Sequence, residues 1–373
     1  MELVLETAGE SHGPSLTAIL AGIPARTPVS EAFVNARLAA RQVGYGSGAR
    51  QRTEQDVVTF LGGVRDGHAT GNPIALSVAN RDPAYRDLPA VHAPRPGHAD
   101  LAGALNRGSA DARDVIERSS ARETAVRVAA GAVAAAFLEA LGVRVLGHVV
   151  AIGDVDLAGE PGGDLEAART RRDASDLHAL GPAAAQARAR AAIDAARAAG
   201  DTLGGVVEVV ATGVPTGLGG HERPETKLSA TLASALMGIQ AVRGVELGLG
   251  FALARLPGSQ AHDAILPPAG EGGRPRRAGN RSGGIEGGTS NGEPVVLRAA
   301  MKPLASLRNP LASVDLRTGE AAPARIERSD TCAVSRLAIV AEAAVALDLA
   351  RHVRRRFGGA SLDEVREALR RRT

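Results

Sequence analysis

The sequence predicts an α+β fold, a β-α-β sandwich with central helices between antiparallel sheets, internally duplicated. Three observations point there. The stretch Thr124 to Leu141 is nearly all alanine and valine with one glycine, so it has high helix propensity but little polar surface to show to water. Short motifs recur in the same order along both halves. Aromatic residues make up only 2% of the chain, with no tryptophan, so the core must be built from Ala, Val, Leu and Ile, with helices approaching closely.

The elements follow in order. Residues 2 to 5 alternate weakly and lead to Thr7-Ala8-Gly9-Glu10-Ser11-His12-Gly13-Pro14, a histidine loop between two strand candidates. Ser15 to Ile23 reads as a strand, and Ser30 as the N-cap of a helix to Gln42. The glycine-rich turn Gly44 to Arg50 has neither a strand leading into it nor a Walker lysine after it. Strands are expected at Val57 to Leu61 and Ile74 to Val78. Ser120 to Glu123 fits a capping box opening the alanine-rich helix, which Gly142 stops. With Arg118, Ser119 and Arg122 beside it, that helix start reads as an anion site. His98 lies just before it in a loop stiffened by Pro94 and Pro96.

Val143 to Ile152 is a predicted strand, and residues 154 to 200 a charged surface excursion with a helix from Pro182 to Ala199. Gly204 to Thr212 reads as a strand, Ala230 to Arg243 as a helix, and Gly270 to Gly292 as a long loop. Val295 to Ala299 is a strand and Asp330 to Phe357 the final helix, with Asp330 at its N-cap. Arg354 to Arg356 and Arg370 to Arg372 read as a solvated face and tail.

Ile116-Glu117-Arg118-Ser119 is matched by Ile326-Glu327-Arg328-Ser329, Gly22-Ile23-Pro24 by Gly213-Val214-Pro215, and Pro73 to Val78 by Pro294 to Ala299. The chain is therefore expected to be one domain, 1-373, with pseudo-repeat halves of about 1-200 and 201-373. Neither half can bury its helix alone, so the helices should pair between sheets. Strict strand-helix alternation is missing, which argues against a dinucleotide-binding domain.

Composition excludes several classes. The net charge is +3 and Cys332 is the single cysteine, so an internal disulfide and a CxxC zinc site are excluded; no metal is expected. No apolar run of signal-peptide or membrane-span length opens the chain, which points to a soluble, cytoplasmic protein without a membrane partner. Five Phe and two Tyr offer no stacking platform for nucleic acid. A phosphotransferase would need a Walker or kinase lysine context that is missing.

Read together, Gly9 to Gly13 (GESHG), Glu117 to Thr124 (ERSSARET) and Arg328 to Cys332 (RSDTC) resemble the three signatures of the chorismate synthase family. Arg95 to Asp100 (RPGHAD), NRSGGIEGG and MKP agree, and the resemblance covers almost the whole chain. It implies a carbon-oxygen lyase of the shikimate pathway. The reaction would be a 1,4-anti elimination of phosphate from 5-enolpyruvylshikimate 3-phosphate to give chorismate, dependent on reduced FMN. The alternative is another phosphate-ligand flavoenzyme of the same fold. It also implies a homotetramer with NADPH as an indirect reductant, the flavin being reduced either by the chain itself or by a separate flavin reductase as partner.

By the same resemblance His12 protonates the departing phosphate and His98 acts near flavin N1 and the C2 carbonyl. Asp330, with Ser11 and Ser120 as a relay, takes the proton that flavin N5 has removed from substrate C6. FMN contacts carry over to Arg118, Ser119, Ser120, Gln240, Ala241, Gly287, Lys302, Pro303, Leu304, Ala305, Ser306 and Arg328. NADP or substrate contacts carry over to Arg41, Ser47 and Arg122. Ser47 stands where many bacterial members have a second arginine, Gln240 where asparagine is more usual, and Asp82 to Arg95 is shorter than in many relatives.

Overall fold

Alternating apolar residues build the first sheet. The computed structural model describes residues 2–47, 55–80, 87–268, 270, 273–327 and 329–371. Strands β1 (Val4–Ala8) and β2 (Ser15–Ala21) pair antiparallel, followed by helix α1 (Glu31–Gln42) and strands β3 (Val58–Gly62) and β4 (Ile74–Ala79). Ser30 caps α1 as expected, accepting from the Phe33 N–H at 3.2 Å. The sheet order is β1-β2-β4-β3, antiparallel throughout. Leu16, Ala18, Leu20, Ile74, Leu76 and Val78 alternate onto its inner face and are buried.

Two short helices, α2 (Asp100–Asn106) and α3 (Arg113–Ser119), precede α4 (Thr124–Glu139). Strand β5 (Arg144–Ile152) then opens a second sheet. After it come α5 (Leu165–Asp173), α6 (Ala183–Ala198), β6 (Gly205–Thr212), α7 (Leu228–Met237), β7 (Val242–Leu247), the single turn α8 (Gly258–Ala261), β8 (Val295–Met301), α9 (Val334–Phe357) and α10 (Leu362–Arg370). The second sheet has the order β7-β8-β6-β5, with the short strand Val155–Asp156 beyond β5.

The two sheets are thus traversed alike: β1, β2, α1, β3, β4, α4, then β5, β6, α7, β7, β8, α9. The matched motifs fall at equivalent points. Gly22 and Gly213 follow β2 and β6, both at positive φ, and a Cβ on either would lie within 2.4 Å of the backbone leading into β1 or β5. The changeover falls at Gly142 and Val143, not near residue 200, because the 154 to 200 segment is inserted within the second hairpin.

Helices α1, α4, α9 and α7 form the middle layer, with α4 on β2 and β4 and α9 on β5, β6 and β8. A Cβ on Gly131 of α4 would lie 2.5 Å from the Ala343 Cβ of α9, so the two backbones meet where side chains are smallest.

Several expected boundaries move. The predicted helix Ala230 to Arg243 ends at Met237, Ala241 takes φ 67°, and Val242 onward pairs with β8, since that apolar run suits a strand as well as a helix. The last helix starts at Val334, and Asp330 is not its N-cap. Thr331 donates its N–H to Gly46 and accepts from the Leu203 N–H, both at 2.9 Å, so the segment is held extended. Ser120 caps only a 3-10 turn, accepting from the Arg122 N–H at 3.3 Å, while the Glu123 carboxylate turns away to Thr7 and Arg127. The reciprocal capping box does not form.

The 154 to 200 excursion is no mere surface feature, since Leu165 and Ala168 of α5 cover Leu146 and Val210 on the outer face of the second sheet. Within the Gly270 to Gly292 loop, Arg276–Arg277 pairs with Ile265–Leu266 and Ile285–Glu286 with Thr289–Ser290. Arg354 is buried and donates to the Gly358 carbonyl, and α10 returns Leu362 and Val365 to the core, so that tail is not simply solvated.

At the centre of α9 the buried Glu342 accepts from the Gly147 N–H at 3.0 Å and ion-pairs with Arg169 and Arg172. Gly147 is required there, because a Cβ would lie 2.1 Å from the Ala338 carbonyl. Burial pushes the Glu342 carboxyl up, but Arg169, Arg172 and Arg37 pull it further down, below the usual carboxylate range. A depressed folded-state pKa stabilises above the ordinary value of 4.5 and is lost as pH falls below it. Glu342→Gln is expected to cost about 3–5 kcal/mol at neutral pH, because it strands buried guanidiniums. Urea denaturation checks this, and the gap to wild type should narrow below pH ~4.5.

Candidate active site

Loop Gly9 to Gly13 hangs from one buried carboxylate. Gly9 takes φ 110°, and a Cβ there would lie 2.4 Å from the Ser15 carbonyl, so the turn needs glycine. Glu117 of α3 is 1% exposed. It accepts from Ser11 Oγ at 2.7 Å, from the His12 backbone N–H at 2.9 Å and meets His12 Nδ1 at 3.1 Å. Burial raises the Glu117 carboxyl, but the bonds from His12 and Ser11 outweigh it and bring it to about 2. Arg113 reaches Glu117 at 3.4 Å and Glu327 at 3.2 Å, joining the two copies of the repeated Ile-Glu-Arg-Ser motif through one guanidinium.

The second histidine is built alike. His98 Nδ1 bonds the fully buried Asp100, whose other oxygen accepts from Arg95 Nε at 2.8 Å. Burial pushes Asp100 up, and hydrogen bonds from His98 and Arg95 hold it below the usual range. Arg95 also donates to Ser306 Oγ at 2.7 Å, and Lys302 Nζ donates to the Gly97 carbonyl, so the Lys302 to Ser306 segment is clasped to the His98 loop. The two rings are 29% and 23% exposed, open enough to meet a ligand.

A third group gathers arginines. Arg41 and Arg122 share the buried Asp56. Burial lowers the Arg41 guanidinium to about 10, against the pull of Asp56. Arg41 also donates to Thr124 Oγ1 and the Ala121 carbonyl, each at 3.0 Å, tying it to the start of α4. Arg336 pairs with Asp330 at 2.7 Å and donates to Ser47 Oγ at 2.8 Å. Guanidinium charge therefore reaches position 47 from α9.

The expected cofactor contacts split. Lys302 N–H donates to the Ala241 carbonyl at 3.0 Å, and Gln240 Nε2 donates to Glu123 at 3.3 Å. Glu123 also accepts from Thr7, whose carbonyl accepts from Arg118 at 2.9 Å, so this cluster runs on into the Gly9 loop. Ser119 Oγ turns back onto the Val115 carbonyl, Leu304 is held by Thr202, and Pro303 and Ala305 lie between the anchored Lys302 and Ser306. Gly287 is at the turn of the Ile285–Ser290 hairpin, next to Gly288, whose carbonyl accepts from the Leu228 N–H at the start of α7. Arg328 and residues 82 to 86 of the short 82 to 95 stretch lie outside the described residues. Among the described residues no three His, Cys, Asp or Glu side chains are grouped to hold a metal ion.

The family model described as chorismate synthase matches residues 3–353. The chain belongs to the chorismate synthase family. It is 51% identical to the chorismate synthase of Pelobacter propionicus over 377 residues, covering 96% of this chain and 95% of that one. It is 48% identical to that of Desulforamulus reducens over 375 residues, covering 97% and 96%. A crystal structure of chorismate synthase matches with a TM-score of 0.81 and 36% identity, over 100% of this chain and 97% of that one. The β-α-β sandwich is therefore the family's, and the protein is a lyase by family.

Sequence reading singled out both histidines but missed the carboxylates beneath them. Asp100, two residues after His98 in the same short motif, and Glu117, four after Arg113, were visible as neighbours. Asp56 and Arg336 had no such signal, since only folding brings them to Arg122 and Asp330.

Cys332, beside Asp330, is 2% exposed, and burial pushes its thiol up to about 11. At pH 8 the native protein should resist alkylation by iodoacetamide and react once unfolded in urea. Stoichiometric labelling of the native protein within minutes would contradict this burial.

Proposed function

We propose that this protein eliminates phosphate from 5-enolpyruvylshikimate 3-phosphate to form chorismate, in a 1,4-anti reaction dependent on reduced FMN. The observation that carries the reading is the pairing of His12 with Glu117, His98 with Asp100 and Asp330 with Arg336, beside arginines able to hold an anionic substrate.

The residues suit a flavin. Gln240 Oε1 is a buried acceptor without a partner, which a bound hydroxyl or N–H would satisfy. Lys302 is lowered by burial and by the charge of Arg243, a strain that a phosphate would relieve. Gln240, Ala241, Lys302 to Ser306 and Arg118 to Ser120 would hold it. When bound, reduced FMN supplies electron density as the C–O bond to phosphate breaks, with no net redox change.

The chain's own groups handle charge and protons. Arg41, Arg122 and Arg336 neutralise the substrate's phosphate and carboxylates. His12 Nδ1 is committed to Glu117, so Nε2 delivers the proton to the departing phosphate. Asp330 takes up the proton lost from carbon, with the Ser11 and Ser120 hydroxyls as its route. The whole chain acts as one domain with duplicated halves, in a homotetramer in the cytoplasm, and Arg41 and Ser47 face the side where NADPH or a separate reductase renews the flavin. No described helix is long and apolar enough to cross a membrane.

Anaerobic turnover with photoreduced FMN tests this, scored for chorismate and phosphate. Product should form with catalytic flavin and no stoichiometric NADPH. Equal turnover with oxidised FMN would refute the reading.

His12→Ala and His98→Ala should each lower turnover by roughly 10²–10⁴-fold with the fold retained, because Glu117 keeps Ser11, the backbone N–H of residue 12 and Arg113, and Asp100 keeps Arg95. Asp330→Asn should keep FMN binding and lower the rate. Normal turnover of that variant would remove Asp330 from the proton path.

A further inference from the structure

Two histidines from unrelated stretches share one construction. In each, Nδ1 faces a carboxylate that is 1% exposed or less, and an arginine pairs with that carboxylate: His12, Glu117 and Arg113 in one case, His98, Asp100 and Arg95 in the other. Arg95 Nη2 also lies 3.1 Å from His98 Nδ1, but Asp100 is the nearer partner of that nitrogen. Both arginines are themselves buried and anchored elsewhere, Arg113 to the Pro89 carbonyl at 3.0 Å and Arg95 to Ser306. Neither carboxylate is open to a ligand, so neither exchanges protons with substrate.

We infer that Glu117 and Asp100 are positioning residues that hold His12 and His98 as the Nδ1–H tautomer and turn Nε2 of both rings toward the ligand. The inference rests on the elimination chemistry proposed above and deepens it. An ionised carboxylate can only accept a hydrogen bond, so the ring nitrogen facing it must carry the proton, and the other nitrogen becomes the one that exchanges. An orienting carboxylate on Nδ1 has this effect on a catalytic histidine in other enzymes. Glu117 does more than orient one ring. It also binds Ser11 Oγ and the His12 backbone N–H, so the hydroxyl and imidazole move as a unit.

The repeat supplies an internal contrast. Glu327, the counterpart of Glu117, is tied to Arg113 and Arg325, with no histidine partner among the described residues. A glutamate at this point of the motif is thus compatible with a purely structural ion pair, and Glu117 differs by the histidine loop laid over it.

The first test needs no substrate. Ring-¹⁵N-labelled histidine NMR of the wild-type protein at pH 8, assigned with His12→Gln and His98→Gln, should show both neutral rings protonated at Nδ1. A predominantly Nε2–H ring at either position overturns the inference for that histidine, whether or not the protein makes chorismate.

The second test is kinetic. Glu117→Gln and Asp100→Asn should lower kcat by about 10²-fold or more with KM changed less than about threefold, and Glu117→Asp should recover part of the loss. Combined with His12→Ala and Ser11→Ala together, Glu117→Gln should cost less than about threefold more, since it acts through that ring and that hydroxyl. An equal loss in both backgrounds would make Glu117 a fold support and overturn the inference. Should Asp100→Asn fail to fold, the wild-type spectrum decides His98 alone. Absence of chorismate from the wild type would sink the elimination reading and leave the spectra to decide this one.

Discussion

The crossing of α4 on α9 at Gly131 and Ala343 is the constraint on which the remainder of the molecule depends. A core almost without aromatic rings has no large side chains to span a gap between helices, so its backbones must come together. Each crossing helix is the last element of one repeat, and each is preceded by a site segment, Glu117 to Glu123 before α4 and Ser329 to Cys332 before α9. Their distance and angle therefore set how His12, Arg41 and Ser120 on one side stand to Asp330 and Arg336 on the other. The two sheets close over the pair from outside and bury what the helices cannot.

Electrostatics in the site follows from burial. Carboxylates that cannot reach water are held ionised by fixed donors, Glu117 by a serine, a histidine and a backbone N–H, Asp100 by an arginine and a histidine. Taking such groups out of water is costly unless every lone pair is met, which is why each has an arginine behind it. Glu342 shows the same arrangement far from any histidine, bracing α9 to the second sheet. The difference between a brace and a functional pair lies in what the carboxylate's remaining partner can exchange with a ligand.

Much of the fold was legible because its signals are local. The cap at Ser30, the stop at Gly142 and the alternation of β2, β4 and β8 depend on a few adjacent residues, and the repeated motifs marked equivalent points of both sheets. Misreadings came where a long-range partner competed with local preference. Val242 continues an apolar run, but β8 offers a strand edge and takes it. Asp330 looks like a helix cap, but Gly46 and Leu203 hold the next residue extended. Ser120 and Glu123 have the spacing of a capping box, but Thr7, Arg127 and Gln240 compete for the carboxylate. Residues 154 to 200 read as surface because their charges are many, yet Arg169 and Arg172 carry theirs inward to Glu342.

By itself the sequence determined the family, the sandwich of helices between sheets and its duplication, and singled out two histidines as candidates, since these are written in contiguous motifs and in residue sizes. Tertiary structure alone decided where the repeat divides, that Asp330 answers to Arg336 rather than to a helix end, and that one arginine joins the paired glutamates. Those choices depend on residues far apart in the chain meeting at hydrogen-bond distance, and a charge buried at such a meeting takes its role from the partner it finds there.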